Sequence, residues 1–166
     1  MIKKKDCFVF YYNEFKHKIY AYFLYRVGFD QKLAEDLTSE VFLKAFKNFE
    51  DFEDGKPFQP WIFTISRNHL INHYKASKRE TSLTEMEGFL KCADHDFESK
   101  HELARVMGII SDMEEKDKEV LLLRFSSGLS NTEIADLLEK EEGAIRTRIS
   151  RSLSKLRRIL NKQHAG

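Results

Sequence analysis

Apolar side chains recur every three or four positions along most of this chain, and that spacing constrains its fold more than any other feature. The runs from Phe8 to Val27 and from Ile145 to Leu160 both follow the period of an amphipathic helix. Only seven glycines and two prolines occur in 166 residues, so few positions interrupt a helix. Charged residues make up 33% of the chain and apolar residues 42%, a balance typical of soluble folded proteins. The sequence therefore predicts an all-α fold.

The helical spacing fades between residues 80 and 99, where acidic side chains dominate and Gly88 weakens any helix. We interpret this stretch as a flexible acidic linker between two small helical domains, residues 1–79 and residues 100–166. In the first domain we expect three helices, the third beginning near Pro60 and ending near Ser77. In the second we expect four helices, over about 100–111, 114–126, 131–139 and from 142 onward. The helix over 114–126 is built on the apolar residues Val120, Leu121, Leu123 and Phe125.

A strong local signal marks the start of the sixth predicted helix. Ser130 is placed to cap the N–H of Glu133, whose carboxylate reaches back to Ser130 in a capping box. Leu129 and Ile134 occupy the two positions of a hydrophobic staple across the same helix start. A short helix, a turn of three or four residues and a longer helix then follow, which is the pattern of a helix-turn-helix.

The last helix has two distinct faces. Its apolar residues, from Ile145 to Leu160, form one stripe, and serine, threonine and arginine residues lie on the opposite face. Arginine binds guanine bidentately or holds phosphate, and serine and threonine do the same less strongly. The pattern favours duplex DNA over a plain helical hairpin with a solvated basic face.

Charge is strongly segregated although the net charge is only +1. Residues 62–79 and residues 143–162 carry lysine and arginine but no acidic residue. Between Asp30 and Asp54, by contrast, eight acidic residues oppose three lysines. Two basic segments and one acidic segment indicate more than one kind of partner.

Two long stretches resemble the extracytoplasmic-function sigma factors of bacterial RNA polymerase. Residues 34–46, AEDLTSEVFLKAF, continued by WIFTISRN at 61–68, are similar to region 2 of that family. Residues 118–125, KEVLLLRF, followed by GLS at 128–130 and the helices up to Leu160, are similar to region 4. The resemblance implies a sigma factor that binds core polymerase, opens the −10 promoter element and reads the −35 element as duplex.

The resemblance also implies which residues contact core polymerase. In the family, the second helix docks on the clamp helices of the largest subunit, and the polymerase flap is a further contact. The candidates for the clamp contact here are Asp36, Glu40, Val41, Lys44 and Ala45.

For the −10 element, the resemblance points to the loop at 52–58 and to the third helix. Phe52 and Asn68 match positions that form a pocket for a base flipped from the non-template strand, where stacking would recover the unpairing cost. The full candidate set is Phe52, Trp61, Arg67, Asn68, Asn72, Tyr74, Lys75, Lys78 and Arg79. For Phe52 and Trp61 an ordinary core position is the alternative.

The −35 candidates implied by the resemblance are Arg146, Thr147, Arg148, Ser150 and Arg151. One departure from the family pattern lies in the turn of the helix-turn-helix, where Glu139-Lys140-Glu141 replaces a segment that usually starts with glycine. A glutamate in a left-handed conformation strains the turn modestly. Glu141 and Glu142 put negative charge close to where phosphate should lie, which should weaken non-specific DNA affinity. Glu114 replaces a common proline upstream.

Other functions explain less of the chain. A polymerase-independent helix-turn-helix regulator leaves the stretch up to Asn68 unexplained, and an adaptor for proteins alone leaves the basic segments unexplained. His69 and His73 have a zinc-compatible spacing but no third ligand at a telling distance. We therefore expect no enzyme, no cofactor and no metal, and a cytoplasmic protein without membrane insertion. The sequence leaves open whether an anti-sigma factor sequesters the chain or another protein recruits it.

Overall fold

The computed structural model describes residues 4–80 and 97–166, with side chains described for residues 4–78 and 101–166. The chain divides into two compact units, Met1–Phe89 and Leu90–Gly166. The described residues contain seven α-helices and no strand, which confirms the all-α prediction. Most of the predicted linker lies outside the described residues, so its bounds stay a prediction. The helices are α1 Lys4–Arg26, α2 Gln31–Lys47, α3 Phe58–Glu80, α4 Phe97–Ser111, α5 Glu115–Leu121, α6 Asn131–Leu138 and α7 Glu142–His164.

The first unit is a three-helix bundle in which α1 packs on α2 and α3, and α2 packs on α3. A tight turn joins α1 to α2, with Gly28 and Phe29 both at φ 65°. Asp30 then caps α2 by accepting a hydrogen bond from the Leu33 amide at 3.0 Å. The predicted apolar spacing supplies the core, which is formed by Ile19, Tyr22, Phe23, Ala34, Leu37, Val41, Ala45, Ile62, Phe63 and Leu70.

The second unit is organised around α7, which packs on α4, α5 and α6. The helix expected over 114–126 is two pieces, α5 and a π-helical turn from Leu122 to Ser126. The turn changes the register by widening the helix, so Phe125 is exposed although the spacing predicted it inside. Leu123 is buried as expected, and Leu122 is buried as well.

The predicted capping box is present at the start of α6. The Glu133 amide donates to Ser130 Oγ at 3.1 Å, and the Ser130 amide donates to Glu133 Oε2 at 2.8 Å. Leu129 and Ile134 are both fully buried beside this start, as a hydrophobic staple requires. The helix therefore begins where the sequence predicts.

The three-residue turn after α6 contains the left-handed glutamate anticipated from the sequence. Glu139 has φ 55° and ψ 47°. The Lys140 amide donates to the Ala135 carbonyl at 2.9 Å, and the Glu139 amide donates to the Asp136 carbonyl at 3.3 Å. These two bonds are those of a Schellman motif, whose left-handed position is most often glycine.

Candidate nucleic-acid and polymerase interfaces

Helix α7 presents a polar face that the core leaves uncovered. Ile145, Ile149 and Ser152 are buried against the rest of the second unit. The side chains on the other side are exposed, and they include four of the five predicted −35 contacts: Arg146, Thr147, Ser150 and Arg151. Arginine guanidinium groups and small hydroxyls on one exposed helix face suit contact with base edges and phosphates in a groove.

Arg148, the fifth predicted −35 contact, is engaged within the unit. Its Nη1 donates to Asp117 Oδ1 at 2.9 Å, and Lys155 Nζ donates to the other oxygen of Asp117 at 2.7 Å. The Asp117 side chain is only 5% exposed. Burial raises the pKa of this carboxyl, but the hydrogen bonds from Lys155 and Arg148 outweigh burial and hold its pKa below the ordinary value. We name this arrangement the Asp117 bridge.

Sequence reasoning missed the Asp117 bridge because its members lie 31 and 38 positions apart. The spacing of Arg148 and Lys155 carries a partial signal, since residues seven apart lie on one side of a helix. Nothing local identifies Asp117 as their partner. Arg146 also has a partner, Glu142 at 2.7 Å, but both of those side chains are well exposed. Such a surface pair is weak and exchanges readily for phosphate.

Helix α3 carries a second exposed polar face. At about 100° per residue, Trp61, Asn68, Asn72 and Lys75 fall within one narrow stripe. Trp61 is half-buried and the other three are exposed, as is Lys78 nearby. The side chain of Arg79 lies outside the described residues. The stripe therefore holds amide and ammonium groups that suit a single strand and its phosphates.

Two predicted −10 residues lie away from this stripe. The Tyr74 hydroxyl donates to the main-chain carbonyl of Arg26, so its ring is turned toward α1. Arg67 is half-buried. Both positions are rotated by about 100° or more from Asn68 around the helix.

Phe52 lies in an aromatic cluster at the base of α3. It is 8% exposed, and its ring centre lies 4.9 Å from that of Trp61 and 5.7 Å from those of Phe49 and Phe58. Tyr11 of α1 stacks on Phe58 at 4.2 Å and completes the cluster. The loop thus places Phe52 at the base of the stripe with its ring already packed, whereas Asn68 is exposed on the stripe itself.

The predicted polymerase contacts on α2 divide into two groups. Asp36, Glu40 and Lys44 are exposed, but Val41 and Ala45 are fully buried in the first unit. The prediction that Val41 and Ala45 contact polymerase is therefore wrong, because both face the core shared with α1 and α3. Sequence reasoning missed Leu43 and Phe46, which are exposed on the outer face of α2. Helical spacing could have found them, since Leu43 lies seven residues after Asp36.

A polar bridge joins α2 to α3. His69 Nε2 lies 2.6 Å from Glu40 Oε2, and His69 Nδ1 lies 2.8 Å from Lys44 Nζ. The His69 side chain is 13% exposed and that of Glu40 is 56% exposed. We name this arrangement the His69 bridge. Sequence reasoning considered His69 only as half of a zinc pair with His73, which lacks a third ligand at a telling distance.

No group of three or more histidine, cysteine, aspartate or glutamate side chains in the described residues is gathered in a way that could hold a metal ion. None of the helices described in residues 4–80 and 97–166 is both long enough and apolar enough to cross a membrane.

Comparison with known proteins places both interfaces in recognised segments. Residues 12–80 match the family model for Sigma-70 region 2, and residues 103–156 match that for Sigma-70, region 4. The α3 stripe thus lies within the region 2 match, and most of α7 lies within the region 4 match. The region 2 match covers the stretch that a polymerase-independent regulator leaves unexplained.

Individual relatives agree with the family models. The chain is 34% identical over 162 residues to the ECF RNA polymerase sigma factor BldN of Streptomyces coelicolor, covering 93% of this chain and 61% of that protein. It is 27% identical over 149 residues to the RNA polymerase sigma factor SigZ of Bacillus subtilis, covering 90% of this chain and 84% of that protein.

A solved structure shows the same fold. The sigma factor RpoE from Bartonella quintana, in complex with the anti-sigma factor NepR, has a TM-score of 0.77 at 21% identity, covering 93% of this chain and 96% of that one. With both family regions matched in order, the chain belongs to the sigma-70 family as an extracytoplasmic-function sigma factor, the class of subunit that binds core RNA polymerase and promoter DNA.

Proposed function

We propose that this sigma factor docks on core polymerase through α2, opens the −10 element with the 52–58 loop and α3, and reads the −35 element with α7. The supporting observation is that the two exposed polar faces lie in the region 2 and region 4 segments. The working domains are residues 1–79 and 100–166, joined by the acidic segment 80–99. The protein acts in the cytoplasm and catalyses no reaction of its own.

For the upstream element, α7 enters the major groove with its exposed face. Arg146 and Arg151 bind guanine edges or phosphates, and Thr147 and Ser150 make shorter contacts. Arg148 is assigned a different task because the Asp117 bridge holds its guanidinium. It fixes the rotation of α7, which decides which of the other side chains reach the bases.

For the downstream element, the aromatic cluster has to rearrange. Phe52 is packed among other rings. A flipped base can therefore stack on Phe52 only when the Phe52 ring turns outward or the base displaces a neighbouring ring. Unpairing a base costs a few kcal/mol and stacking returns about 1–3 kcal/mol. Because Phe52 also gives up its packing, opening depends on polymerase holding the DNA. Asn68, Asn72, Lys75 and Lys78 then follow the separated strand.

For polymerase, the outer face of α2 combines exposed apolar and charged groups. Leu43 and Phe46 offer apolar surface that stays in water in the free chain, and Asp36, Glu40 and Lys44 surround it. An apolar centre with a charged rim is the usual anatomy of a protein interface. The polymerase clamp helices are the proposed partner of this face, and the flap is the proposed partner of the second unit.

An anti-sigma factor is a further proposed partner. The structure of similar fold was solved with an anti-sigma factor bound. Such a partner would compete with polymerase by covering the same exposed apolar side chains.

Run-off transcription with bacterial core polymerase on a promoter library tests this function. Initiation from a defined set of promoters is expected, and it should need both polymerase and this chain. Arg151→Ala should weaken use of the upstream element by about 1–3 kcal/mol. Arg157→Ala is the matched control, since Arg157 is exposed on the same helix but about 120° away from Arg151. Absence of initiation from every template, or equal losses in both variants, would contradict the assignment.

Promoter opening is tested separately with Asn68→Ala. This variant should open duplex promoters more slowly than the parent, as measured by permanganate footprinting. Its initial binding to the duplex should be close to normal. On a template with a pre-melted −10 element the defect should shrink, because the base no longer has to be extracted from the duplex. Equal defects on both templates would assign Asn68 to a role other than opening.

A further inference from the structure

The His69 bridge joins the helix proposed to dock polymerase to the helix proposed to open the promoter. His69 belongs to α3, and both of its partners, Glu40 and Lys44, belong to α2. Its ring is largely covered, whereas the Glu40 carboxylate is more than half exposed. A covered ring thus holds two side chains that would otherwise move freely in water.

The chemistry of the partners assigns the ring protons. A lysine ammonium donates hydrogen bonds and accepts none, so the Nδ1 atom that faces Lys44 offers its lone pair. The proton then lies on Nε2, which donates to the Glu40 carboxylate at 2.6 Å. His69 is therefore both a donor and an acceptor, and it gives Glu40 and Lys44 fixed positions one turn apart on α2.

Fixing these two side chains matters for binding. Lysine and glutamate have many rotamers, and they lose that freedom when a partner immobilises them. Side chains that are already ordered in the free protein bind with a smaller entropic penalty. Leu43 lies between Glu40 and Lys44 in sequence and is exposed, so the ordered charges flank apolar surface.

We propose that His69 is a positioning residue for polymerase docking, which pre-orders Glu40 and Lys44 on α2 without touching polymerase itself. The proposal rests on the proposed function of α2 as the docking face. Asn68 precedes His69 on α3, so the bridge also ties the docking face to the stripe that follows the opened strand.

Three variants of the full chain test the proposal by affinity for core polymerase. His69→Leu removes both hydrogen bonds and should weaken binding by about fivefold to tenfold. His69→Gln keeps one donor and one acceptor in its amide and should restore affinity to within about twofold of the parent. His73→Leu is the matched control, one turn further along α3, and should bind as the parent does. Urea unfolding of each variant separates lost ordering from lost folding.

The pairing is tested in a double-mutant cycle. In a chain that carries Glu40→Ala and Lys44→Ala, His69→Leu should cause no further loss. A loss of the same size there, normal binding by His69→Leu, or a glutamine variant as weak as the leucine variant would overturn the proposal. If His69→Leu does not fold, nitrogen NMR of the parent imidazole still decides: protonated Nε2 and unprotonated Nδ1 are expected, and the other tautomer would overturn it.

Leu43→Asp separates this proposal from the one on which it rests. If Leu43→Asp binds core polymerase as the parent does, α2 is not the docking face and both proposals fail. If Leu43→Asp weakens binding and His69→Leu does not, only the role of His69 fails.

Discussion

Helices α3 and α7 both turn an exposed polar face toward their proposed DNA partner, but different chemistry holds each in place. Helix α3 is anchored by rings, with Phe58, Trp61 and Phe63 packed into the first unit. Its polar link to α2, the His69 bridge, uses the Glu40 carboxylate, which is more than half exposed. Helix α7 is anchored by Ile145 and Ile149 together with the Asp117 bridge, whose carboxylate is buried.

The difference matches the task proposed for each helix. Arg148 and Lys155 lie seven residues apart and share one carboxylate, so the Asp117 bridge fixes the rotation of α7 about its axis. A helix that reads base edges needs that fixed rotation. Ring packing is less directional, and it tolerates the rearrangement that capture of a flipped base by Phe52 would require. Specific polar contacts thus suit reading, and aromatic packing suits opening.

The largest expected effect tests the aromatic anchor. Phe58 is buried, stacks on Tyr11 and contacts Trp61, so Phe58→Ala should lower the free energy of unfolding of the first unit by about 3–5 kcal/mol. Urea unfolding monitored by tryptophan fluorescence reports on the first unit alone, because Trp61 is the only tryptophan in the chain.

Phe10→Ala is the control for the aromatic anchor. Phe10 belongs to the same unit but its ring is exposed, so its loss should change stability by no more than about 0.5 kcal/mol. Similar effects of the two variants would mean that the cluster does not anchor α3.

The second effect tests the Asp117 bridge. Asp117→Asn should lower the free energy of unfolding of the second unit by about 2 kcal/mol. The loss stays moderate because Arg148 and Lys155 are partly exposed and regain water when the carboxylate is removed. Hydrogen exchange of α7 amides measures it, and Asp136→Asn, on the exposed face of α6, is the matched control.

The pH dependence of this loss has a definite sign. Folding lowers the pKa of Asp117 below its ordinary value of 3.8. Above 3.8 the carboxyl is ionised in both states, so its contribution to stability is complete. As the pH falls below 3.8 the unfolded chain takes up the proton first, and the contribution disappears on passing through the lower pKa of the folded state. The difference in free energy of unfolding between the parent and Asp117→Asn should therefore disappear only in acid. A difference that disappears near neutral pH would contradict the Asp117 bridge.

The same contrast explains how far sequence alone could lead. Periodicity and caps predict the helices, because spacing of apolar residues and the box of Ser130 and Glu133 act within one or two turns. They also predict the exposed face of α7. The Asp117 and His69 bridges were missed because each joins residues from different helices, and no local pattern records which helices meet.

Two particular misses have distinct physical causes. Val41 and Ala45 were assigned to a contact surface because they match the family motif, although their spacing with Leu37 already places them on the buried side of α2. Phe125 was assigned to the core because a regular α-helix was assumed where the chain forms a π-helical turn. A motif shows which segment is functional, but burial decides which of its side chains reach a partner.

The smallest expected effect concerns the turn between α6 and α7. Glu139 occupies a left-handed position that glycine adopts without strain, so Glu139→Gly should raise the free energy of unfolding of the second unit by about 0.5–1 kcal/mol. Lys140→Gly is the control and should lower it, because Lys140 lies outside the left-handed region. Glu139→Gln separates strain from charge, because it keeps a side chain at the left-handed position but removes one negative charge from the turn. If charge limits use of the −35 element, Glu139→Gln and Glu139→Gly should improve transcription from matched promoters equally. If strain limits it, only Glu139→Gly should improve transcription, and the orientation of α7 would then depend on its turn as well as on the Asp117 bridge.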